Sequence, residues 1–89
     1  MKNLDLFFNP KSVAIIGASR NPAKIGHIVL KNFAEEGFAG KVYPINPEAD
    51  KILNLKAYPS VKGVPEEIDL AVILTPAKFE LFPLYLAVQ

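Results

Sequence analysis

The sequence lacks cysteine altogether and has a single histidine among its 89 residues, and these shortages remove several classes of site. Without cysteine there is no disulfide framework, no thiolate zinc site and no thiol nucleophile. One histidine is too few for a histidine-rich metal site. We therefore expect no metal ligands in this chain.

The sequence is also poor in charge of one sign and in long hydrophobic runs. Ten Lys and Arg against nine Asp and Glu give a net charge of +1, with no block of like charge, which argues against a nucleic-acid binder. The apolar runs are far shorter than the ~20 residues that span a bilayer. The start of the chain has no apolar core of a signal peptide. We expect a cytoplasmic protein that binds neither nucleic acid nor membranes.

The composition that remains is that of one small globular domain. Hydrophobic residues make up 51% and charged residues 21%, which is too apolar for a disordered chain. The length allows one domain with one modest core. We therefore treat residues 1–89 as a single domain.

Two continuous apolar runs and one helical stripe dominate the chain. Residues 12–18 and 69–74 are apolar at nearly every position, which is typical of strands buried on both faces of a parallel sheet. Weaker strands are predicted at 41–45 and 55–58. Between the predicted strands at 12–18 and 41–45, small and apolar residues repeat at helical spacing. They are Gly26, Val29, Leu30, Phe33, Ala34 and Gly37.

Local signals predict where helices begin and end. Asn21 and Pro22 can cap and start the helix, and Gly37 can end it. Residues 48–54 suggest a helical turn. Thr75 and Pro76 have the residue types of a cap and a first helical position, so a second helix is predicted there, ending near Pro83.

Strands that alternate with an amphipathic helix predict an α/β fold with a Rossmann-like parallel sheet and flanking helices. We expect the strand order 3-2-1-4, counting the four predicted strands along the chain. In such sheets a ligand lies at the carboxyl ends of the strands, where the strand order reverses. The segments expected to line this crevice are 17–19, 46–47 and 75–76.

The loop after the first strand has the residue types of a phosphate site. Gly17 and Ala18 allow a close approach of backbone N–H groups, and Ser19 adds a hydroxyl. Arg20 and Lys24 place two cations beside the N-terminus of the predicted helix. The alternative is an ordinary tight turn between a strand and a helix.

Two nucleotide classes fit this loop poorly. The dinucleotide fingerprint needs a second glycine where Ser19 stands, and an acidic residue where the chain has Asn46. The Walker A pattern is absent from the sequence. We see no catalytic residues. His27 shares the predicted outer helix face with Lys31 and Glu35, so its side chain is expected in solvent. The acidic group Glu66, Glu67 and Asp69 suggests a solvated loop, and Tyr43 and Tyr58 suggest packing.

Several motifs together resemble the CoA-binding domain of NDP-forming acyl-CoA synthetases, including ADP-forming acetate–CoA ligases. The opening run 6–19 is similar, as are 22–26, 40–47, 57–60 and 68–77. The resemblance covers residues 4–79 and extends to small stand-alone CoA-binding proteins. It implies that the cofactor is coenzyme A, bound at the crevice inferred above.

The resemblance also implies which residues bind. The phosphates of CoA would lie against the loop, Asn46 and Pro47 would border the adenosine, and Thr75 and Pro76 the pantetheine. The implied binding residues are Gly17, Ala18, Ser19, Arg20, Pro22, Lys24, Gly26, Asn46, Pro47, Thr75 and Pro76. An asparagine at position 46 suits CoA, because a carboxylate there would repel its 3′-phosphate.

The chain departs from the family after Phe79, where residues 80–89 form a divergent apolar tail. We expect a C-terminally incomplete sheet and none of the family's acyl-phosphate chemistry, so whether the chain is an enzyme stays open. The favoured hypothesis is a CoA or acyl-CoA binding module, acting with the remaining synthetase domains or subunits. The alternative is a structural protein with a vestigial pocket. In that case its tail would form a homo-oligomer interface.

Overall fold

The computed structural model describes residues 9–74 and 79–82. The sheet-forming elements are β1 (Ser12–Ile16), β2 (Lys41–Ile45), β5 (Leu70–Leu74) and β6 (Phe79–Phe82). Helix α1 (Ile25–Glu35) connects β1 to β2. A short hairpin of β3 (Lys51–Ile52) and β4 (Leu55–Lys56) and a 3₁₀ turn (Val61–Gly63) lie between β2 and β5.

The sheet has the order β2-β1-β5-β6, and β1 pairs in parallel with both of its neighbours. This confirms the predicted α/β class and the adjacency of the second, first and fourth predicted strands. The third predicted strand, 55–58, is divided in the structure: residues 55–56 form β4 of the hairpin, and Tyr58 makes one parallel bridge to Ile45 on the outer edge of β2. The Tyr58 N–H donates to the Pro44 carbonyl at 2.9 Å, so this segment occupies the predicted place with a shorter pairing.

The helix predicted to run from Pro76 towards Pro83 is wrong over residues 79–82. These residues form β6, which pairs antiparallel to β5 from Leu74–Phe79 to Ala71–Phe82. Pairing satisfies backbone groups on the open edge of β5, which a helix would leave without partners from this sheet. The residue types of Thr75 and Pro76 indicate only a local helix start and give no information on the pairing of β6 with β5. Both residues lie outside the described part of the chain.

Helix α1 confirms the apolar stripe but begins later than predicted. Lys24, with extended backbone angles, is the residue before the helix. Asn21 instead forms a separate turn, in which its side-chain oxygen accepts the Ala23 N–H at 2.9 Å. Gly37, at φ 92°, adopts the left-handed conformation predicted for the end of the helix.

The helical turn predicted at 48–54 is also wrong. Leu53 and Asn54 both have positive φ, at 53° and 64°, and they form the two-residue turn of the β3–β4 hairpin. Positive φ at both central positions matches the right-handed twist of the flanking strands. Leu53 is an unusual residue there, and it packs against the main core. That contact is not visible in the local sequence.

The core lies mainly between the sheet and α1. Val13, Ile15, Leu30 and Val72 are fully buried in this cluster. The opposite face of the sheet has a smaller cluster around Ala14, Tyr43, Ile45 and Ile68. α1 is thereby fixed on one face, so that its N-terminus lies at the carboxyl end of β1.

Tyr43, in the smaller cluster, packs edge-on against Tyr58 with ring centroids 5.8 Å apart, which confirms the packing role expected for both tyrosines. Burial of the phenol, and then a hydrogen bond to Glu66 and its negative charge, raise the pKa of Tyr43 from 10.0 to about 12.

An alkaline titration tests this shift. Because the pKa of Tyr43 is higher in the folded protein than in the unfolded chain, the protonated phenol stabilises the folded state. This contribution to the free energy of unfolding is complete below pH 10 and is lost as the pH rises towards 12. We expect the phenolate absorbance of Tyr43, taken as the difference between the native protein and Tyr43→Phe, to develop near pH 12. Ionisation of Tyr43 near pH 10.0 in the folded protein would contradict the raised pKa.

Candidate functional site

The loop between β1 and α1 lies where the strand order reverses. β1 has β2 on one side and β5 on the other, and all three strands point the same way. The carboxyl ends of parallel strands flanking such a point form the crevice that binds ligands in open α/β sheets. The Gly17 N–H donates to the Ile45 carbonyl at 3.3 Å, which ties the start of the loop to the end of β2.

Two glycines allow the loop and the helix to meet. Gly17 has φ 97°, and a Cβ built on it would lie 2.5 Å from the Leu74 carbonyl oxygen at the end of β5. A Cβ on Gly26 would collide with the Gly17 carbonyl oxygen. Both obstacles are backbone atoms, so no side-chain rotation relieves them. The first turn of α1 is thus packed directly against the loop.

Side chains from two other elements hold the loop by its carbonyl oxygens. The Asn46 Nδ2 donates to the Ala18 carbonyl at 2.9 Å, and the Asn46 Oδ1 accepts the Glu48 N–H at 2.7 Å. The His27 Nδ1 lies 2.9 Å from the Ser19 carbonyl oxygen. A carbonyl oxygen only accepts, so this contact places a proton on Nδ1.

The rest of the loop is a pair of side-chain turns that lead into α1. The Ser19 Oγ accepts the Asn21 N–H at 3.0 Å, which leaves the hydroxyl proton of Ser19 available to a ligand. Arg20, inside the first of these turns, and Lys24, just after the second, are both exposed. Within the described ranges, neither cation lies within ion-pair distance of a carboxylate.

The structure therefore brings together most of the residues expected from the sequence. Ala18 and Gly26 are buried, and the exposed Gly17 contacts Gly26 through its backbone. Ser19, Arg20 and Lys24, which are half-buried or exposed, are here called the rim of the loop. Pro22 is exposed within the loop, next to Asn21, and Pro47 is exposed in the turn after β2, next to Asn46. Thr75 and Pro76 are outside the described residues. Leu74, which precedes them, lies against Gly17.

His27 is the residue that the sequence interpretation placed wrongly. Its spacing with Lys31 and Glu35 predicted a solvent-facing side chain, but it is half-buried and hydrogen-bonded to the loop. The residue follows Gly26, whose close contact with Gly17 brings this turn of α1 within reach of Ser19. Helical periodicity alone contains no such information.

The acidic residues Glu66, Glu67 and Asp69 lie near the amino ends of β1 and β2, at the opposite end of the strands from the loop. The Asp69 Oδ2 accepts the Lys11 N–H at 2.8 Å, and Glu66 lies 4.0 Å from the Lys41 ammonium. A surface cavity of about 710 Å³ lies here, lined by Lys11, Lys41 and the three acidic residues. Among the residues with described positions no group of side chains is arranged to hold a metal ion, and no described helix is long and apolar enough to cross a membrane.

Comparison of the chain with known proteins identifies its family. The family model described as a CoA binding domain matches residues 11–81. Acetate–CoA ligase [ADP-forming] II of Archaeoglobus fulgidus is 57% identical over 74 residues, which cover 83% of this chain and 11% of that protein. Acetate–CoA ligase [ADP-forming] I subunit alpha of Pyrococcus furiosus is 49% identical over 81 residues, covering 86% of this chain and 18% of the subunit.

Solved structures agree. The apo form of the dinucleotide-forming acetyl-coenzyme A synthetase 1 of Ca. Korarchaeum cryptofilum superimposes with a TM-score of 0.78 at 51% identity, covering 81% of this chain and 16% of that one. The chain thus spans less than a fifth of the length of these relatives. On the family match, the chain belongs to the CoA-binding domain family.

Proposed function

We propose that this domain binds coenzyme A through the loop formed by residues 17–26, here called the phosphate loop. The observation that carries the proposal is the packing of the Gly17 turn against the first turn of α1, with two exposed cations, Arg20 and Lys24, in the segment that joins them. Arginine and lysine both recognise phosphate, and a helix N-terminus adds partial positive charge. The family match supports CoA as the anion bound.

Electrostatics favour CoA over a dinucleotide. A carboxylate at the end of β2 would bind a ribose diol, but it would repel the 3′-phosphate of CoA. Asn46 carries no charge, and its amide is already bound to Ala18 and Glu48. We place the adenosine beside Asn46 and Pro47, and the pantetheine on the path from Leu74 towards Thr75 and Pro76.

We further propose that the domain serves an ADP-forming acyl-CoA synthetase, with the other domains or subunits supplying the chemistry. The relatives named above are such ligases and subunits, and this chain matches only a small part of each. A purely structural protein with a vestigial pocket is not favoured. The family match runs through residues 11–81, and the packed glycines and both rim cations are present.

Calorimetric titration of CoA into the native protein and into Arg20→Ala and Lys24→Ala tests the proposal. A hydrogen bond to a charged group contributes about 1.5–3 kcal/mol, so each substitution should weaken binding roughly tenfold or more. Binding should also weaken with added salt, because the rim cations are exposed.

Lys11→Ala is the matched control. It removes the same charge from the amino end of β1, at the opposite edge of the sheet, and should leave CoA affinity unchanged. Absence of CoA binding at millimolar concentration would refute the proposal. Equal losses in Lys11→Ala and Arg20→Ala would refute the assignment to the phosphate loop.

A further inference from the structure

Two consecutive carbonyl groups of the phosphate loop are each held by a side chain from a different element. Asn46, just after β2, binds the Ala18 carbonyl, and His27, in the first turn of α1, binds the Ser19 carbonyl. Both contacts measure 2.9 Å. Two consecutive peptide groups of the loop are thus held by side chains from outside it.

Fixing these carbonyls also fixes the N–H groups that follow them. A trans peptide is planar, and its C=O and N–H point in opposite directions. No peptide bond in the described segments is cis. The Ser19 N–H therefore points away from the amide of Asn46, and the Arg20 N–H points away from the ring of His27.

Both N–H groups are open to a ligand. Neither donates a hydrogen bond to any residue that the structure describes. Ser19 is half-buried and Arg20 is exposed, so both groups lie at the rim. A backbone N–H group without a partner can donate to an anion, and it stabilises that anion more when its orientation is fixed in advance.

We propose that Asn46 and His27 are positioning residues of the phosphate loop, which hold two peptide groups so that the Ser19 and Arg20 N–H groups face a phosphate of the ligand. This inference rests on the proposed CoA binding and adds the residues that preorganise it. Neither residue needs to touch the ligand for this role.

Both the oxygen and the nitrogen of the Asn46 side-chain amide have a hydrogen-bond partner, which fixes its orientation. Its Oδ1 accepts the Glu48 N–H, so its Nδ2 must face the Ala18 carbonyl. Without these donors, rotation of either peptide group would turn a carbonyl oxygen towards the phosphate. That oxygen would repel the anion instead of binding it, so loss of a donor weakens CoA binding without removing any group from the rim.

The test measures loop geometry and affinity separately. Residual dipolar couplings report the N–H directions of Ser19 and Arg20 in the ligand-free protein, and calorimetry reports CoA affinity. Asn46→Leu and His27→Phe each remove a donor at similar size without adding charge. We expect reoriented N–H vectors and roughly tenfold weaker CoA binding in each.

His27→Gln and Asn32→Leu are the comparison variants. Glutamine retains a donor, so His27→Gln should recover much of the affinity that His27→Phe loses. Asn32 is exposed in the second half of α1, so Asn32→Leu should change neither measurement.

Each outcome decides between the two proposals. If the native protein does not bind CoA but the vectors reorient in both donor-removing variants, Asn46 and His27 do hold the two peptide groups, and it is the proposed CoA binding that fails. If CoA binds and the vectors stay unchanged in these variants, the positioning role is overturned, whatever happens to the affinity.

Discussion

Gly26→Ala is expected to detach α1 from the phosphate loop and to abolish CoA binding. The added Cβ would overlap the Gly17 carbonyl oxygen and lie 3.0 Å from the Gly17 carbonyl carbon and 3.3 Å from the Ala18 Cα. All three obstacles belong to the backbone of the loop. Overpacking in a core costs about 1–3 kcal/mol when side chains can shift, and more is expected where only backbone can move.

Two other glycines separate this steric effect from the general cost of replacing glycine. A Cβ on Gly63 meets only Tyr58, at 3.8 Å, so Gly63→Ala should be neutral or slightly stabilising. A Cβ on Gly37 meets nothing within 4 Å, but φ is 92°. Gly37→Ala should therefore cost about 1 kcal/mol through backbone strain alone.

Thermal unfolding with and without CoA compares the three variants. We expect Gly26→Ala to lose the most stability and to show no CoA-dependent rise in melting temperature, while Gly37→Ala and Gly63→Ala keep that rise. A Gly26→Ala protein that matches Gly63→Ala in both measurements would show that the helix does not need this contact.

The sequence predicts the parts of this fold that depend on burial, and it misses the parts that depend on contacts between distant segments. Continuous apolar runs identified β1 and β5, and the 3.6-residue stripe identified α1, because burial determines which residues those positions accept. The helix predicted after Pro76 was wrong over 79–82, because its cap signal is local whereas β6 is defined by pairing with β5.

The site shows the same division. Gly17 was singled out for a tight turn and Gly26 for its place in the helical stripe, and the structure adds that close backbone contacts leave no room for a Cβ at either position. Asn46 was noticed for the charge that it lacks, but its hydrogen bond to Ala18 was not predicted. His27 was assigned to solvent because periodicity reports only which side of the helix a residue occupies. Its reach to Ser19 depends on how closely the helix approaches the loop.

Leu30→Ala is expected to destabilise the domain strongly while leaving the phosphate loop intact. The Leu30 side chain is 0% exposed in the main core, where Val13, Ile15 and Val72 are equally buried. Truncating such a leucine costs about 2–5 kcal/mol through lost burial and the cavity left behind. Folded domains have a net stability of about 5–15 kcal/mol, so the variant should lose a large share of it.

The same helix supplies the control, and the ligand separates core damage from site damage. Ile28 is 45% exposed, so Ile28→Ala should cost much less in urea unfolding. A ligand at 100 times its dissociation constant stabilises the folded state by about 2.7 kcal/mol. CoA should therefore recover much of the stability lost in Leu30→Ala, whose loop is unaltered, and none of that lost in Gly26→Ala. If CoA stabilises both variants equally, the contact between Gly26 and Gly17 is not part of the binding site.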